Sequence, residues 1–166
     1  MKSFLTGWFG ELRPLHALEI TYLFKNAMSN TIGYTLITGF SQVTKSKDIH
    51  NYICKASKLL LSILIYLRSI LKEEDLSSFE SWAAYVTDSI TPPFSEKLML
   101  FHIASLNSVG IGNYGVSISA SSRRDLGTHY TRLMGEIALF TEDASNLMME
   151  NGWMEQPPQA ANRDQL

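Results

Sequence analysis

Apolar residues recur at intervals of three and four along four long stretches of the chain. In the second stretch Ile49, Tyr52, Ile53, Ala56, Leu59, Leu60, Ile63, Tyr66, Leu67 and Ile70 keep this spacing. Asn51, Lys55, Lys58, Ser62, Ser69 and Lys72 fall on the opposite side. A 3.6-residue period with one apolar and one polar face predicts an amphipathic helix lying on a core. The fourth stretch is as regular, with Leu126, Tyr130, Leu133, Ile137, Phe140, Ala144 and Leu147. Gly152 just beyond it, followed by Pro157 and Pro158, marks its stop. The first stretch, Leu15 to Val43, is apolar over a wider arc that takes in Leu18, Leu23, Phe24, Met28, Ile32, Ile37 and Phe40. A polar line of Glu19, Tyr22, Asn26 and Asn30 runs along it, and Pro14 sits where a first-turn proline belongs. The third follows Pro92 and Pro93, with Ser95 as its cap, and runs through Leu98, Met99, Phe101, Ile103, Leu106 and Val109 to about Ser121. Gly110, Gly112 and Gly115 lie inside it, each weakening the helix by roughly 1 kcal/mol relative to alanine.

The connections set the topology. Only a few residues near Lys45 to Asp48 join helices one and two, and Ser121 to Asp125 join three and four, so each pair is antiparallel. The stretch Asp75 to Phe94 between helices two and three is much longer. A helix of about 24 residues spans about 36 Å, and about eleven extended residues suffice to return along it. The connector is therefore long enough to cross the whole bundle, with Trp82 to Val86 as a short helix on the outside. The expected fold is an all-α four-helix bundle of ferritin-like topology with that one long crossover. A simple up-down bundle with a looped-out insert is the alternative. The expected layout is an N-terminal extension over residues 1–14, the bundle over 15–152, and an extended C-terminal tail over 153–166 anchored by Trp153 and Met154.

Composition narrows the function classes. The length of 166 residues suits one domain, and 45% apolar against 18% charged residues excludes a disordered chain. Fourteen basic and sixteen acidic residues give a net charge of −2, which argues against a nucleic-acid binder relying on a basic surface. A single cysteine, Cys54, excludes an internal disulfide and any multi-cysteine zinc site. The longest apolar run, Leu59 to Leu71, holds Arg68 and is too short for a membrane span. Near the N-terminus Phe4, Leu5, Trp8 and Phe9 are interrupted by Gly7 and Gly10, which is not a signal-peptide core. The expected site of synthesis is the cytoplasm.

Candidate chemistry is sparse. Gly110-Ile111-Gly112-Asn113-Tyr114-Gly115 matches G-x-G-x-x-G, but no strand precedes it and no acid stands about twenty residues on. Small residues that let two helices approach closely are the simpler reading. A di-metal carboxylate site needs Glu-x-x-His on two helices, and Glu19, Glu96, Glu136 and Glu142 are followed at +3 by Tyr22, Met99, Leu139 and Ser145. Glu19, His102 and Glu136 are the interior metal candidates that remain. Cys54 reads as a packing residue. Ser117, Ser119, Ser121 and Ser122 before Arg123, Arg124 and Asp125 read as a capped helix start, with an anion site at the fourth helix as the sharper option. Lys45, Lys47, Lys55 and Lys58 read as a solvated face.

Two stretches, Gly110 to Gly115 running on to Ser121-Ser-Arg-Arg-Asp125, and Asn151-Gly-Trp-Met-Glu-Gln-Pro-Pro158, resemble a family of ferritin-like bundles of unknown function from endospore-forming bacteria. Its members are often described as similar to spore coat protein F. The opening Leu15-His-Ala-Leu-Glu19 is similar to that family's first helix. The resemblance implies a four-helix ferritin-like fold and carries over no activity. Members often resemble two bundles in tandem, whereas this chain holds one. Many carry histidine on the second helix, and Ala56 to Leu71 has none.

The sequence therefore leads us to expect a non-enzymatic structural or interaction protein, with no catalytic, cofactor-binding or metal residues assigned. Its expected partners are other proteins, including spore coat proteins or a second copy of the chain packed through Trp8, Phe9 or Trp82. A ferritin-like metal-binding or oxidative protein with a degenerate carboxylate site is the alternative. A small-ligand carrier with a pocket beside the glycines of helix three is a further one.

Overall fold

The computed structural model describes residues 12–77 and 82–154, together with positions 158, 160, 161 and 163. Four long helices form the fold: α1 (Ala17–Val43), α2 (Lys47–Glu73), α3 (Glu96–Ala120) and α4 (Arg124–Glu150). A single 3-10 turn, Ala83–Tyr85, lies in the connector, and no strand occurs among the described residues. The fold is all-α, a four-helix bundle.

Local chemistry explains where each helix begins and ends. Ser46 and Ser95 cap α2 and α3 by accepting the backbone N–H of Ile49 and Leu98. At α1 the cap is His16, whose Nδ1 accepts the Glu19 N–H while the Glu19 carboxylate accepts the His16 N–H. This is a capping box with an imidazole in place of the usual hydroxyl. At the end of α4, the Gly152 N–H bonds Met149 O and the Trp153 N–H bonds Met148 O, with Gly152 at φ +66°. That paired termination needs a left-handed residue, which glycine adopts without strain. Asp75 at φ +54° plays the same part after α2.

Cross-helix pairs fix the direction of each element. Asn26 meets Ser117 and Asn30 meets Tyr114, so α1 and α3 are antiparallel. Tyr52 stacks on Phe140 at 4.4 Å and Tyr66 packs at a tilt against His129 at 4.7 Å, so α2 and α4 are antiparallel as well. Since the short turns make α1–α2 and α3–α4 antiparallel, α2 and α3 run the same way. The connector must therefore traverse the bundle. Glu74, at its start, bonds Arg123 and the Leu15 N–H at one end of the molecule. Phe94, near its finish, sits edge-on to Phe40 at the other end, 6.4 Å between ring centroids. The long crossover is thus the path taken, and the looped-out insert is not. The expected short helix at Trp82 to Val86 is one 3-10 turn; beside it Val86 comes within 3.9 Å of where a Cβ on Gly39 would stand.

The core falls into two clusters. One, toward the α1–α2 turn, gathers Phe40, Ile49, Ile53, Met99, Leu100 and Ile103, with Trp153 packed against it. The other, toward the α3–α4 turn, gathers Leu23, Ile63, Leu67, Tyr114, Leu126, Tyr130 and Leu133. Each fully buried leucine or isoleucine contributes about 1.5–3 kcal/mol. Trp153, read from the sequence as an anchor for the tail, is half-buried, and Met154 is exposed. Trp8 and Phe9 lie outside the described residues, and Trp82 is exposed, edge-on to Tyr85.

Candidate functional site

The four helices divide by charge. α2 and α4 each carry seven Asp, Glu, Lys or Arg residues, whereas α1 carries two (Glu19, Lys25) and α3 two (Glu96, Lys97). Residues 98–122 hold no charged residue at all, nor do residues 26–44. α1 and α3 lie side by side, so their outer surfaces make one face that is almost free of charge. On it Leu18, Met28, Ile32, Phe101, Val109 and Val116 are exposed, Val109 at 59% and Phe101 at 56%. The described part of the connector meets α1 from Thr35 onward, where Tyr85, Val86 and Phe94 join Thr35, Leu36, Gly39 and Phe40 in lining one hollow.

The two acids of α1 and α3 serve the interior. Glu19 is fully buried and its carboxylate accepts the Ser122 and Arg123 backbone N–H groups at 3.0 and 2.9 Å. Both guanidinium nitrogens of Arg13 donate to it at 2.9 Å. Burial would raise its pKa, but Arg13 and the N–H groups of Arg123 and His16 outweigh burial and hold it at about 2. Glu96 mirrors this at the opposite end: its Oε1 accepts the Lys45 and Ser46 N–H groups, both at 2.7 Å. Each helix pair thus lends a carboxylate to the turn of the other pair. The first acid caps the start of α4 and the second caps the start of α2, where free N–H groups and the helix dipole favour an anion. Arg123, buried, has no side-chain cap of its own and instead bonds Asp125, Glu74 and the Arg13 carbonyl. Burial disfavours its charge, but the two carboxylates prevail and raise its pKa.

A buried polar seam joins α1 to α3. Asn26 Nδ2 donates to Ser117 Oγ at 2.7 Å, and Ser117 donates to Asn113 O. Asn30 Nδ2 donates to Asn26 O and to the Tyr114 hydroxyl, at 2.7 and 2.8 Å. Tyr130 stacks on Tyr114 at 5.8 Å, and its hydroxyl lies against Asn26 and Ser117 without a hydrogen bond of good geometry. Burial pushes the Tyr114 hydroxyl up to about 12, despite the Asn30 hydrogen bond.

The metal candidates do not converge. Glu19 is consumed in the clasp just described. His102 is exposed and edge-on to Phe40 near the far end of α3. Glu136 pairs with Arg132 one turn away on α4. Among the described residues no three His, Cys, Asp or Glu side chains are grouped to hold a metal ion. The start of α4, read as a capped turn with an anion site as the sharper option, is capped by an anion of the protein's own, the Glu19 carboxylate. The glycine motif lies inside α3, with Gly110 beside Ile137, Gly115 beside Met134, and Gly112 in open space. A Cβ at any of the three would meet no neighbour closer than 3.7 Å, so close helix approach does not require them. Cys54 is half-buried, 3.4 Å from the His50 ring. Lys45, Lys47, Lys55 and Lys58 are all exposed. No helix among the described residues is long and apolar enough to cross a membrane. The Glu96 clasp and the uncharged face went unread in the sequence. The signal for the face was legible, since residues 98–122 lack charge altogether, whereas nothing in the sequence links Glu96 to Ser46.

Comparison with known proteins gives one family and one solved structure. The family model described as "Protein of unknown function (DUF3231)" matches residues 3–166. A crystal structure described as that of a "putative spore coat protein" from Bacillus halodurans C-125 superposes with a TM-score of 0.80 at 16% identity, covering 90% of this chain and 98% of that one. At that identity the likeness is one of fold. No curated protein matches.

Proposed function

The chain belongs to the DUF3231 family of proteins of unknown function, and we propose that it is a non-enzymatic structural or interaction protein of the spore coat kind. The observation that carries this reading is the outer face of α1 and α3, apolar and nearly free of charge apart from the exposed Lys25, which bonds Asn113 across it. Such a face is costly to leave in water and is suited to burial against another protein. Its occupant is a second copy of the chain or another coat protein. The described fold of the Bacillus halodurans protein supports a spore-coat destination after synthesis in the cytoplasm. The single long crossover supports the ferritin-like description, since that topology has one such connection.

The charges near the ends of the bundle support a structural role too. Arg13 pairs with Glu19, and Arg123 pairs with Glu74 and Asp125, so these carboxylates are engaged in joining the helix ends. A tagged full-length chain expressed in an endospore-forming host tests the reading. Fluorescence that gathers at the forespore surface is expected, and fluorescence that stays diffuse through sporulation would refute the coat assignment. Elemental analysis of the tag-free protein after growth in metal-supplemented medium is expected to show iron, manganese and zinc well below one equivalent. One or two equivalents would favour the metal-binding alternative.

A further inference from the structure

We propose that a cleft at the middle of the bundle binds a small, neutral alcohol or phenol. The cleft lies where the two core clusters meet, with a volume of about 230 Å³. Its lining comes almost wholly from α1 and α3, with Leu60 of α2 and Ile137 of α4 one residue each, and it includes the exposed Ile32 and Val109, so the cleft opens between α1 and α3 on their outer face. This inference does not rest on the coat reading.

Size and lining select the ligand. An apolar cavity of about 150 Å³ takes benzene, so this one suits a benzene-sized ring with a short substituent. No Asp, Glu, Lys or Arg lines it, and Lys25, which stands at its rim, donates to Asn113 Oδ1 at 3.3 Å, so the wall around Asn30 and Tyr114 suits a neutral ligand. Ile37, Leu60 and Ile137 supply the apolar wall for the ring. The polar lining also includes Asn26, Ser29, Asn107 and Asn113, and within it Asn30 and Tyr114 offer an adjacent acceptor and donor. Asn30 is 9% exposed and commits its amide N–H groups to Asn26 O and Tyr114 Oη. Its Oδ1 accepts no hydrogen bond, and the Tyr114 hydroxyl accepts from Asn30 but donates to nothing. One acceptor and one donor therefore stand next to each other at the wall. A single ligand O–H complements both, donating to Asn30 Oδ1 while its oxygen accepts from Tyr114. A carboxylate has no hydrogen to offer Asn30.

The glycines support the same conclusion. A Cβ would stand 3.5 Å from Leu60 at Gly33 and 3.7 Å from Ile137 at Gly110, both ordinary contact distances. Packing admits a larger residue at either site, which would strengthen the helix. The space they leave is the cleft.

The test is calorimetric and NMR titration of the full chain with p-cresol, toluene and benzoate. Saturable one-site binding of p-cresol is expected, with toluene roughly tenfold weaker because it makes neither hydrogen bond. Benzoate, which has no hydrogen to offer Asn30 Oδ1, should bind more weakly than p-cresol. Gly110→Leu fills the cleft and should abolish binding of both ring compounds, with a cooperative thermal transition showing that the variant folds. Tyr114→Phe removes the donor without filling space and should bring p-cresol down about tenfold, toward toluene. Absence of saturable p-cresol binding at millimolar concentration would overturn the proposal. So would p-cresol binding that both variants leave unchanged.

Discussion

α2 and α4 read as ordinary surface helices, and α1 and α3 do not. The two pairs are nearly equal in length, yet the first carries fourteen charged residues and the second four. On α2 and α4 the charges sit mostly outside, and the apolar stripe faces the core, as with Lys55, Lys58 and Arg132 against Ile53, Ile63 and Leu133. On α1 and α3 the pattern is inverted. Their carboxylates, Glu19 and Glu96, reach across to helix starts, their amides form the seam between them, and their outer surfaces are left to Leu18, Met28, Ile32, Phe101, Val109 and Val116. The difference teaches that polarity here is spent on joining the two hairpins rather than on facing water.

The comparison predicts that a charge on α1 matters far more than one on α4. Glu19→Gln breaks a buried, multiply bonded charge and should cost about 3–5 kcal/mol in urea unfolding. The same carboxylate dictates an acid limb. Its pKa is about 2 when folded against 4.5 as the ordinary value, so the folded state binds its proton less readily. The stabilisation is fully present above pH 4.5 and is lost as pH falls from there toward 2, about 3 kcal/mol in all. Unfolding measured from pH 6 to pH 2 should show this loss in the natural protein and a much flatter profile in Glu19→Gln.

Next in size is the seam. Asn30→Leu deprives the Tyr114 hydroxyl and Asn26 O of their donor and should cost about 2 kcal/mol by thermal unfolding. Glu96→Gln weakens the second clasp, which is nearer to solvent, and should cost about 1 kcal/mol. Smallest is Arg132→Ala on α4. Its pair with Glu136 is exposed, so unfolding should shift by less than about 0.5 kcal/mol. A loss at Arg132 as large as that at Glu19 would erase the distinction between the two helix pairs.

α2 and α4 were legible from their 3.6-residue apolar period, whereas α1 and α3, apolar nearly all round, were legible from their length and from the turns and prolines that bound them. Ser95, Gly152 and the length of the Asp75 to Phe94 connector are all local or additive signals, and the structure uses each of them. The site was less legible because its parts are far apart in sequence. Glu19 meets Arg123, more than a hundred residues away, and Asn30 meets Tyr114 across 84. The polar line of Glu19, Tyr22, Asn26 and Asn30 was visible on α1, but periodicity does not say which of these faces water. Glu19, Asn26 and Asn30 are buried, and Tyr22 is half-exposed. Glu136 looked interior by type and is instead half of a surface ion pair. Gly112, the centre of the glycine motif, faces open space, while Gly110 lines the cleft.

The central claim is that the apolar, nearly uncharged α1–α3 face is an interface, and sedimentation velocity tests it most directly. The full chain and its Val109→Glu variant should be run side by side over a wide concentration range, with Leu139→Glu on α4 as the matched control. Leu139 is also exposed, at 70%, so the control differs in helix and not in exposure. The account predicts that the natural chain and the control associate beyond the 18.7 kDa monomer while Val109→Glu remains a monomer with an unchanged helical spectrum. Equal association of all three, or a natural chain that stays monomeric even after mixing with an extract of spore coat proteins, would contradict it.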